Sequence, residues 1–330
     1  MEPSTPATLS RRQAIKGLSA IGAAGWSRGA LAQADRPVRF ILPVSAGSGV
    51  DTIMRASSQA LSKALGQTVV VDNQPGAGGV VGTQALVKSE PDGQTLSLVS
   101  NNHVIYPAVL QSVPFDPVAD ITPIAVVGIT PLVLMVNPQR IQARTMKELV
   151  DLLKQSPGKY NYASSGNGTI LHLAAELFKE VTGTFVTHIP YRGVGPMLQD
   201  MLAGQVDMGV PALPPVVQHI KSGALRALCI PSAARSLAAP DVPTSAEAGY
   251  ANYRVEGWFA VVGPKGLSPE QVRRVHTAFV NAYATAEVKE AMLRQGNIIS
   301  ISTPEQAQAH FKNELIKYAA IVKRAGVKPQ

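Results

Sequence analysis

The sequence predicts a chain of two α/β domains, on two observations. Short apolar runs alternate with helical patterns along most of the 330 residues, and glycine-rich loops join several predicted strands to the helices that follow. This order of strand, loop, helix and strand is typical of βαβ units that build a parallel sheet. The pattern begins near residue 38 and begins again near residue 131. We therefore expect two such sheets and, after residue 268, a helical C-terminal segment.

The first series combines predicted strands with two helices. A helix begins at about Asp51, carries Leu61 and Leu65 on its apolar face, and ends at Gly66. A shorter helix follows the glycine-rich segment 74–79. The predicted strands of this series cover residues 38–42, 68–71 and 95–99.

The second series repeats this organisation. Thr145 and Glu148 form the pattern of a capping box that begins a helix, and Gly183 ends the helix that follows loop 164–168. An extended run over 254–262 precedes the helical C-terminal segment. The predicted strands of the second series cover residues 131–136, 160–163, 185–189, 206–210 and 225–230.

The first 34 residues are expected to be a cleavable export signal. Paired arginines, Arg11 and Arg12, precede a weakly apolar stretch over 17–31, and small residues suited to a signal peptidase end at Ala32 or Ala34. The stretch is too short to span a bilayer, which needs about 20 apolar residues. The paired arginines indicate a twin-arginine signal, and an ordinary secretory signal is the alternative.

Charge and cysteine content limit the classes of partner. Removing the signal takes away four basic residues and one acidic residue, which reduces the formal charge from +8 to about +5. The remaining charges are dispersed and aromatic residues are few, so we expect no nucleic-acid partner. A mild positive field favours the approach of an anion. Cys229, the single cysteine, stands in an apolar run and is expected to be a buried, unreactive thiol.

Four glycine- and serine-rich loops are the candidates for a binding site. Ligands of open parallel sheets sit beyond the carboxyl ends of the strands. Glycine lets backbone N–H groups converge, and a helix N-terminus adds partial positive charge, so such loops can hold a carboxylate without a cationic side chain. Ordinary tight turns are the alternative for any one of them. The four loops are 44–49, 75–79, 100–103 and 164–169.

Motifs of catalysis or metal binding are weak in this sequence. Loop 76–82 approximates a dinucleotide fingerprint, but it has one residue too many and lacks the acidic residue expected after the next strand. His172 and Glu176 are spaced to share a metal, yet no third ligand is near, and we expect both on the polar side of their helix. We therefore expect a protein that is not an enzyme and has no cofactor or metal, with a dinucleotide-dependent oxidoreductase as the alternative.

Several segments, taken together and in order, resemble one known family. From about Pro37 to the C-terminus, the chain is similar to the Bug-type substrate-binding proteins of tripartite tricarboxylate transporters, the TctC-like family. The segments that carry the resemblance are Asn-Gln-Pro-Gly-Ala-Gly-Gly at 73–79, Pro-Asp-Gly-Gln-Thr-Leu at 91–96, Asn-Tyr-Ala-Ser-Ser-Gly-Asn-Gly-Thr at 161–169, His-Ile-Pro-Tyr-Arg-Gly at 188–193 and Pro-Asp-Val-Pro-Thr at 240–244.

The resemblance implies a fold of the periplasmic-binding-protein type II kind, in which two Rossmann-like domains enclose a ligand cleft. Residues 35–136 and 254–330 would form the first domain, and residues 137–253 the second. The resemblance also implies a periplasmic, monomeric protein. It would capture a small carboxylate (a di- or tricarboxylate, an aromatic acid or another organic acid) and deliver it to the membrane subunits of a tripartite tricarboxylate-type transporter. A solute-sensing signalling adaptor is the alternative.

The resemblance and the four loops together give a set of expected ligand-binding residues. Asp51 is either a ligand-orienting residue or a helix cap, and His103 either a ligand contact or a structural histidine. Pro211 stands where many family members carry an aspartate, which disfavours a ligand with an amine. The set is Ser45, Ala46, Gly47, Ser48, Asp51, Gly78, Gly79, Asn101, His103, Ser164, Ser165, Gly166, Asn167, Gly168, Thr169, Tyr191 and Gly193.

Overall fold

A computed structural model describes residues 36–327 and 329, and two β-sheets covered by helices organise this part of the chain. The predicted export signal, residues 1–34, lies outside the described residues. Within the described ranges, no helix is at once long enough and apolar enough to cross a bilayer.

The first sheet has six strands in the order β11-β4-β10-β3-β1-β2. Strand β1 is parallel to β2 and β3, whereas β10 is antiparallel to both β3 and β4. The parallel pairing expected of βαβ units thus joins β1, β2 and β3, whereas β4, β10 and β11 pair antiparallel. The strands are β1 (Val38–Leu42), β2 (Val69–Asn73), β3 (Thr95–Ser100), β4 (Ile121–Pro131), β10 (Glu256–Pro264) and β11 (Ile298–Ile299).

The second sheet has five strands in the order β7-β6-β8-β5-β9. Strand β6 is parallel to β7 and β8, and β5 is antiparallel to β8 and β9. Both sheets are thus mixed, with a parallel βαβ part and antiparallel neighbours. The strands are β5 (Leu134–Val136), β6 (Asn161–Ser164), β7 (Thr187–Pro190), β8 (Met208–Gly209) and β9 (Arg226–Cys229).

The chain crosses between the sheets twice. The single strand predicted over 131–136 is in fact the end of β4 in the first sheet and the whole of β5 in the second, separated by Leu132 and Val133. The chain returns in the segment between β9 and β10. Leu213 donates its N–H to the carbonyl of Pro131, and Val133 to that of Pro211, so the first crossing is bonded to the chain beyond β8.

Ten helices lie among the described residues. Side-chain oxygens of six hydroxyl residues cap six of them, as expected at N-caps: Ser48, Thr145, Thr169, Ser268, Thr285 and Thr303. They are α1 (Gly49–Leu65), α2 (Val80–Val87), α3 (Asn102–Val109), α4 (Met146–Gln155), α5 (Ile170–Thr182), α6 (Val194–Leu202), α7 (Val217–Lys221), α8 (Pro269–Ala284), α9 (Ala286–Gln295) and α10 (Pro304–Arg324).

Packing of the helices fixes the ends of the strands in space. Helices α1 and α8 cover one face of the six-stranded sheet, where the rings of Phe40 and Phe279 lie 6.0 Å apart in a core that excludes water. Helix α10 packs on β4 and α3 through Phe311 and Tyr318, both buried. Rigid packing on these faces leaves the strand ends and their loops free to line a cavity.

Candidate functional site

A cavity of about 620 Å³ lies where loops from the two sheets meet. The loops after β1, β2 and β3 form one side, and those after β6 and β7 form the other, so all five follow strands of the parallel parts of the sheets. This is the position expected for a ligand of an α/β protein. The expected residues that line it are Ser45, Ser48, Gly78, Gly79, Asn101, Ser165, Gly166, Asn167, Thr169, Tyr191 and Gly193.

The remaining expected residues do not line this cavity. They are Ala46, Gly47, Asp51, His103, Ser164 and Gly168, and most support the lining residues from behind. His103 requires a correction, because its ring is buried and its Nε2 donates to the carbonyl of Pro117 at 2.7 Å. Burial lowers the pKa of His103 to about 4, so the ring is neutral at ordinary pH. It is a structural histidine of the core.

The loop after β1 is held by the first turn of α1. Ser48 is the N-cap, and its Oγ accepts the N–H of Asp51 at 3.2 Å. The Asp51 carboxylate accepts the Gly47 N–H at 2.9 Å and pairs with Arg55 at 2.9 Å. Burial opposes its ionisation, but hydrogen bonds from Arg55 and Gly47 outweigh burial and lower the pKa of Asp51 below its usual value. Asp51 therefore shapes the loop from within the first turn.

The loop after β2 uses backbone conformations that few residues adopt. Gly79 has φ +125°, and a Cβ there would lie 2.7 Å from the carbonyl oxygen of Pro43. Only glycine fits that position, because the two loops approach each other too closely for a side chain. Ala77 in the same loop also has a positive φ, of 45°. Gly82, the last glycine of the fingerprint-like segment, packs against Gln74 and Pro43 and does not line the cavity.

Two asparagines after β3 connect the cavity to other parts of the molecule. Asn101 is buried, donates to the Tyr318 hydroxyl at 2.7 Å and accepts the Trp258 N–H at 2.9 Å. Asn102 accepts the N–H of Ile170, in the first turn of α5, at 2.9 Å. One asparagine thus joins the cavity to the core around α10, and the other joins its two sides.

The loop after β6 ends at the N-terminus of α5. Thr169 is the N-cap of α5 and accepts the N–H of His172. Contrary to expectation, His172 does not lie on a polar helix side but is buried, and Glu176, half-buried, accepts the Tyr162 hydroxyl at 2.5 Å. These contacts hold the loop from the side that faces away from the cavity.

The loop after β7 closes the cavity against the loop after β1. The Val194 N–H donates to Ser45 Oγ at 3.0 Å, and Gly193 has φ +109°. Tyr191 donates its hydroxyl to Asp200 at 2.7 Å; burial first, and then this carboxylate, raise the pKa of Tyr191 to about 12. Tyr191 therefore stays a neutral phenol at the cavity wall.

Helices α1 and α5 direct their N-termini toward the cavity from opposite sides. In the part of the chain that the structure describes, the N–H groups of Gly49, Val50 and Leu171 have no hydrogen-bond acceptor, and all three residues line the cavity. A helix N-terminus carries about half a positive charge, and its first N–H groups lack partners within the helix. The cavity is therefore suited to an anion.

The charges of the lining agree with this. Arg192 lines the cavity, whereas no aspartate or glutamate does among the described residues. The expected set lacks several residues that line the cavity, among them Arg192, Asn102, Thr130 and Gly257 as well as Gly49, Val50 and Leu171. Arg192 and Asn102 adjoin expected residues and a wider reading of the same motifs would include them. Thr130 and Gly257 face each other across β4 and β10, in a pairing that no local signal reveals.

A second cavity, of about 680 Å³, lies between α5, β10 and α10. It is similar in size to the first, but none of the glycine-rich loops lines it. Three of its charged groups are already paired: Lys317 with Glu314, and Arg324 with Glu180 outside the lining. We therefore assign the candidate site to the cavity between the loops. No cluster of metal-ligating side chains occurs within the described ranges.

Comparison with known proteins places this architecture in a family. Residues 53–327 match the model of the tripartite tricarboxylate transporter family receptor. The chain is 38% identical to protein BugT of Bordetella pertussis over 295 residues, which are 89% of this chain and 90% of BugT.

Two solved structures have the same fold along nearly their whole length. The periplasmic binding protein BugD is 30% identical, with a TM-score of 0.85 over 89% of this chain and 99% of that one. Rpa4515 of R. palustris, solved with adipate, is 28% identical, with a TM-score of 0.86 over 89% and 99% of the two chains. The predicted fold, two α/β units of the periplasmic-binding-protein kind around a cleft, is thus confirmed. The chain belongs to the tripartite tricarboxylate transporter receptor family, whose members include the Bug proteins.

Proposed function

We propose that this receptor captures a small carboxylate in the cavity between the loops, by backbone N–H groups and hydroxyls, and releases it unchanged. The observation that supports this most is the opposition of the α1 and α5 N-termini, with unpaired N–H groups at Gly49, Val50 and Leu171. Pre-aligned amides bind an anion at little cost in reorganisation. The adipate of the similar Rpa4515 structure is a carboxylate of suitable size.

The proposal includes closure of two bodies around the ligand. Residues 35–136 with 254–330 would move as one body and residues 137–253 as the other, about the two crossings. The hydrogen bonds from Val194 to Ser45 and from Ile170 to Asn102 would form on closure, because each joins the two sides of the cavity. The closed form would mark the loaded receptor for the membrane subunits of a tripartite tricarboxylate-type transporter. In the proposal the chain is exported to the periplasm, its signal is cleaved near Ala34 or Ala32, and it acts as a monomer.

The test is a binding screen on the mature chain, purified under denaturing conditions and refolded so that no ligand is carried over. Thermal unfolding would be followed with adipate, malate and benzoate, and with putrescine as a cationic control. A ligand at 100 times its Kd adds roughly 2.7 kcal/mol of stability. We expect at least one acid to raise the Tm and putrescine to leave it unchanged. A response to putrescine and to no acid would contradict the proposal.

A further inference from the structure

Three stacked rings lie behind the loop 164–169 that lines one side of the cavity. The rings of His172 and His188 lie 4.1 Å apart and within 7° of parallel. The ring of Tyr162 lies 4.7 Å from that of His188, within 13° of parallel, and 6.3 Å from that of His172. These three near-parallel rings form one cluster, here called the stack.

The two imidazoles are hydrogen-bonded to the loop. The N–H of Gly168 donates to Nδ1 of His172 at 3.0 Å. Nε2 of His188 lies 2.6 Å from Oγ of Ser164, and the same oxygen accepts the N–H of Gly166 at 3.2 Å. The two imidazoles thus hold the loop at Ser164 and Gly168. Gly166 lies between these points, is bonded to Ser164, and lines the cavity.

The bond from Gly168 fixes the protonation state of His172. A backbone N–H can only donate, so Nδ1 must be unprotonated and Nε2 carries the proton of the neutral ring. Nε2 lies 3.9 Å from the carboxylate of Glu176. The other titratable groups around the ring are Lys179 on α5, Tyr162 on β6 and His188 on β7.

The surroundings of the stack keep both imidazoles neutral. Burial lowers the pKa of His172, an effect that Glu176 opposes and Lys179 reinforces. Burial, followed by the charge of His172, lowers the pKa of His188 to about 4. A proton added to Nδ1 of His172 would make this nitrogen a donor that faces the Gly168 N–H, itself a donor. It would also place a positive charge beside the ring of His188.

We propose that His172 is a positioning residue for ligand binding, whose uncharged imidazole, stacked on His188, holds loop 164–169 in the conformation that lines the cavity. Protonation of His172 releases Gly168, and the loop loses its alignment with the N-terminus of α5. Ligand affinity therefore falls on acidification through this ring. The inference rests on the proposed function for its consequence in binding, but the restraint on the loop exists without any ligand.

The first test needs no ligand. Backbone amide resonances of Gly166 and Gly168 would be followed by NMR between about pH 7.5 and pH 4, together with the ring nitrogens of His172. In His172→Asn, the side-chain oxygen stands near the position of Nδ1 and cannot be protonated in this range. We expect both amide resonances to titrate with His172 in the wild type. In His172→Asn the Gly168 amide should stay constant, and the Gly166 amide should change only with His188, whose ring is bonded to Ser164. Amide resonances of Gly166 and Gly168 that do not change as His172 titrates would overturn the proposal.

The second test measures the affinity for adipate over the same pH range. We expect His172→Ala to bind about tenfold more weakly than the wild type near pH 7.5, as for the loss of one hydrogen bond that orders a loop, and His172→Asn to bind within about twofold. On acidification the wild type should lose affinity more steeply than His172→Asn, because the variant keeps every other titrating group, adipate and His188 included, and lacks only the His172 ring. His219→Asn, on α7 and outside the cavity, should follow the wild type.

The two tests fail separately. If adipate does not bind at any pH while the amides titrate with His172, the proposed ligand class is wrong and the loop restraint stands. If adipate binds and the wild type and His172→Asn lose affinity in parallel, His172 does not control binding and the inference is wrong.

Discussion

Gly193 is a residue at which the two sides of the cavity approach each other closely. A Cβ built there would lie 2.6 Å from Oγ of Ser45, the oxygen that accepts the Val194 N–H. Gly193→Ala would therefore push the loops apart in the closed form, which a ligand needs. We expect at least tenfold weaker acid binding, equivalent to about 1.4 kcal/mol against closure, by isothermal titration.

A control must separate the backbone strain of an alanine at positive φ from its steric clash with Ser45. Gly249 has a similar φ of +92°, but an added Cβ there meets no atom within 4 Å, and the residue is outside the cavity. Both substitutions should lower the free energy of unfolding by roughly 1–3 kcal/mol through backbone strain. Only Gly193→Ala should weaken binding. Equal affinities of the two variants would show that the contact with Ser45 does not matter.

His103 makes the stability of the protein depend on pH. The pKa of its buried ring is about 4, and that of an unfolded histidine is about 6.5. Between these values the unfolded chain binds a proton that the folded chain rejects, so stability is complete above about pH 6.5 and falls as the pH decreases toward 4. The loss through His103 should be roughly 3 kcal/mol, measured by urea unfolding at successive pH values.

The matched variant for this experiment is His103→Gln. Its side-chain amide can still donate to the carbonyl of Pro117 but does not titrate. Its stability should therefore fall less than that of the wild type between pH 6.5 and 4, and every other group contributes equally to both. Parallel stability curves would exclude His103 as the source of the pH dependence.

The sequence predicted the loop residues whose place in the cavity depends on backbone conformation. Ser45, Gly79 and Gly193 line the cavity because small residues at strand ends allow close approach. In the sequence, His103 follows a predicted strand just as Asn101 does, so its position alone did not distinguish it from a lining residue. Its burial depends on packing against Phe311 and Phe115, which lie 208 and 12 residues away in the chain and which no local pattern connects to it.

At the scale of the elements, the first turn of α1 carries the site. Ser48 caps this helix, and the unpaired N–H groups of Gly49 and Val50 follow at once. Ser48→Ala should cost about 1 kcal/mol of stability, as at other N-caps. It should also weaken acid binding about threefold to tenfold, because Ser48 itself lines the cavity and the first turn loses its alignment.

Thr145, the N-cap of α4, provides the control for that experiment. It also accepts an N–H from the third residue of its helix, but it lies outside the cavity. Thr145→Ala should lose similar stability in urea unfolding with no change in affinity. If Thr145→Ala weakened binding as much as Ser48→Ala, general destabilisation would explain both results.

The elements that the sequence predicted are those with a local signal, and the missed ones lack it. Strand β4 is buried on both faces without alternation and contains Pro123 and Gly128, so neither period nor composition marked it. Helix α3 contains Pro107 and begins without a side-chain cap. The sequence did not predict the crossing after Pro131, because one apolar run continues from the first sheet into the second. Only the pairing of its two parts with different strands divides this run.

At the scale of the molecule, a chain of contacts links the cavity to the return crossing of the chain. Asn101 lines the cavity and accepts the backbone N–H of Trp258, two residues after β10 begins. The indole of Trp258 donates to Glu314 of α10 at 2.8 Å and meets the ring of Phe311 edge-on. Trp258 also lines the second cavity together with Leu173 and Leu177 of α5, which belong to the other proposed body, so a change in the angle between the two sheets would alter the surroundings of this indole.

Trp258 should consequently report ligand binding. The sequence has two tryptophans, and Trp26 belongs to the predicted signal, so the emission of the mature chain comes from Trp258 alone. We expect adipate, or another acid that raises the Tm, to change the intensity or the wavelength of this emission with the same Kd as calorimetry. Gly193→Ala, at saturating acid, should show a smaller change because its loops cannot close fully on each other. A silent Trp258 in a protein that binds acid by calorimetry would place β10 and α10 within one rigid body that closure leaves undisturbed.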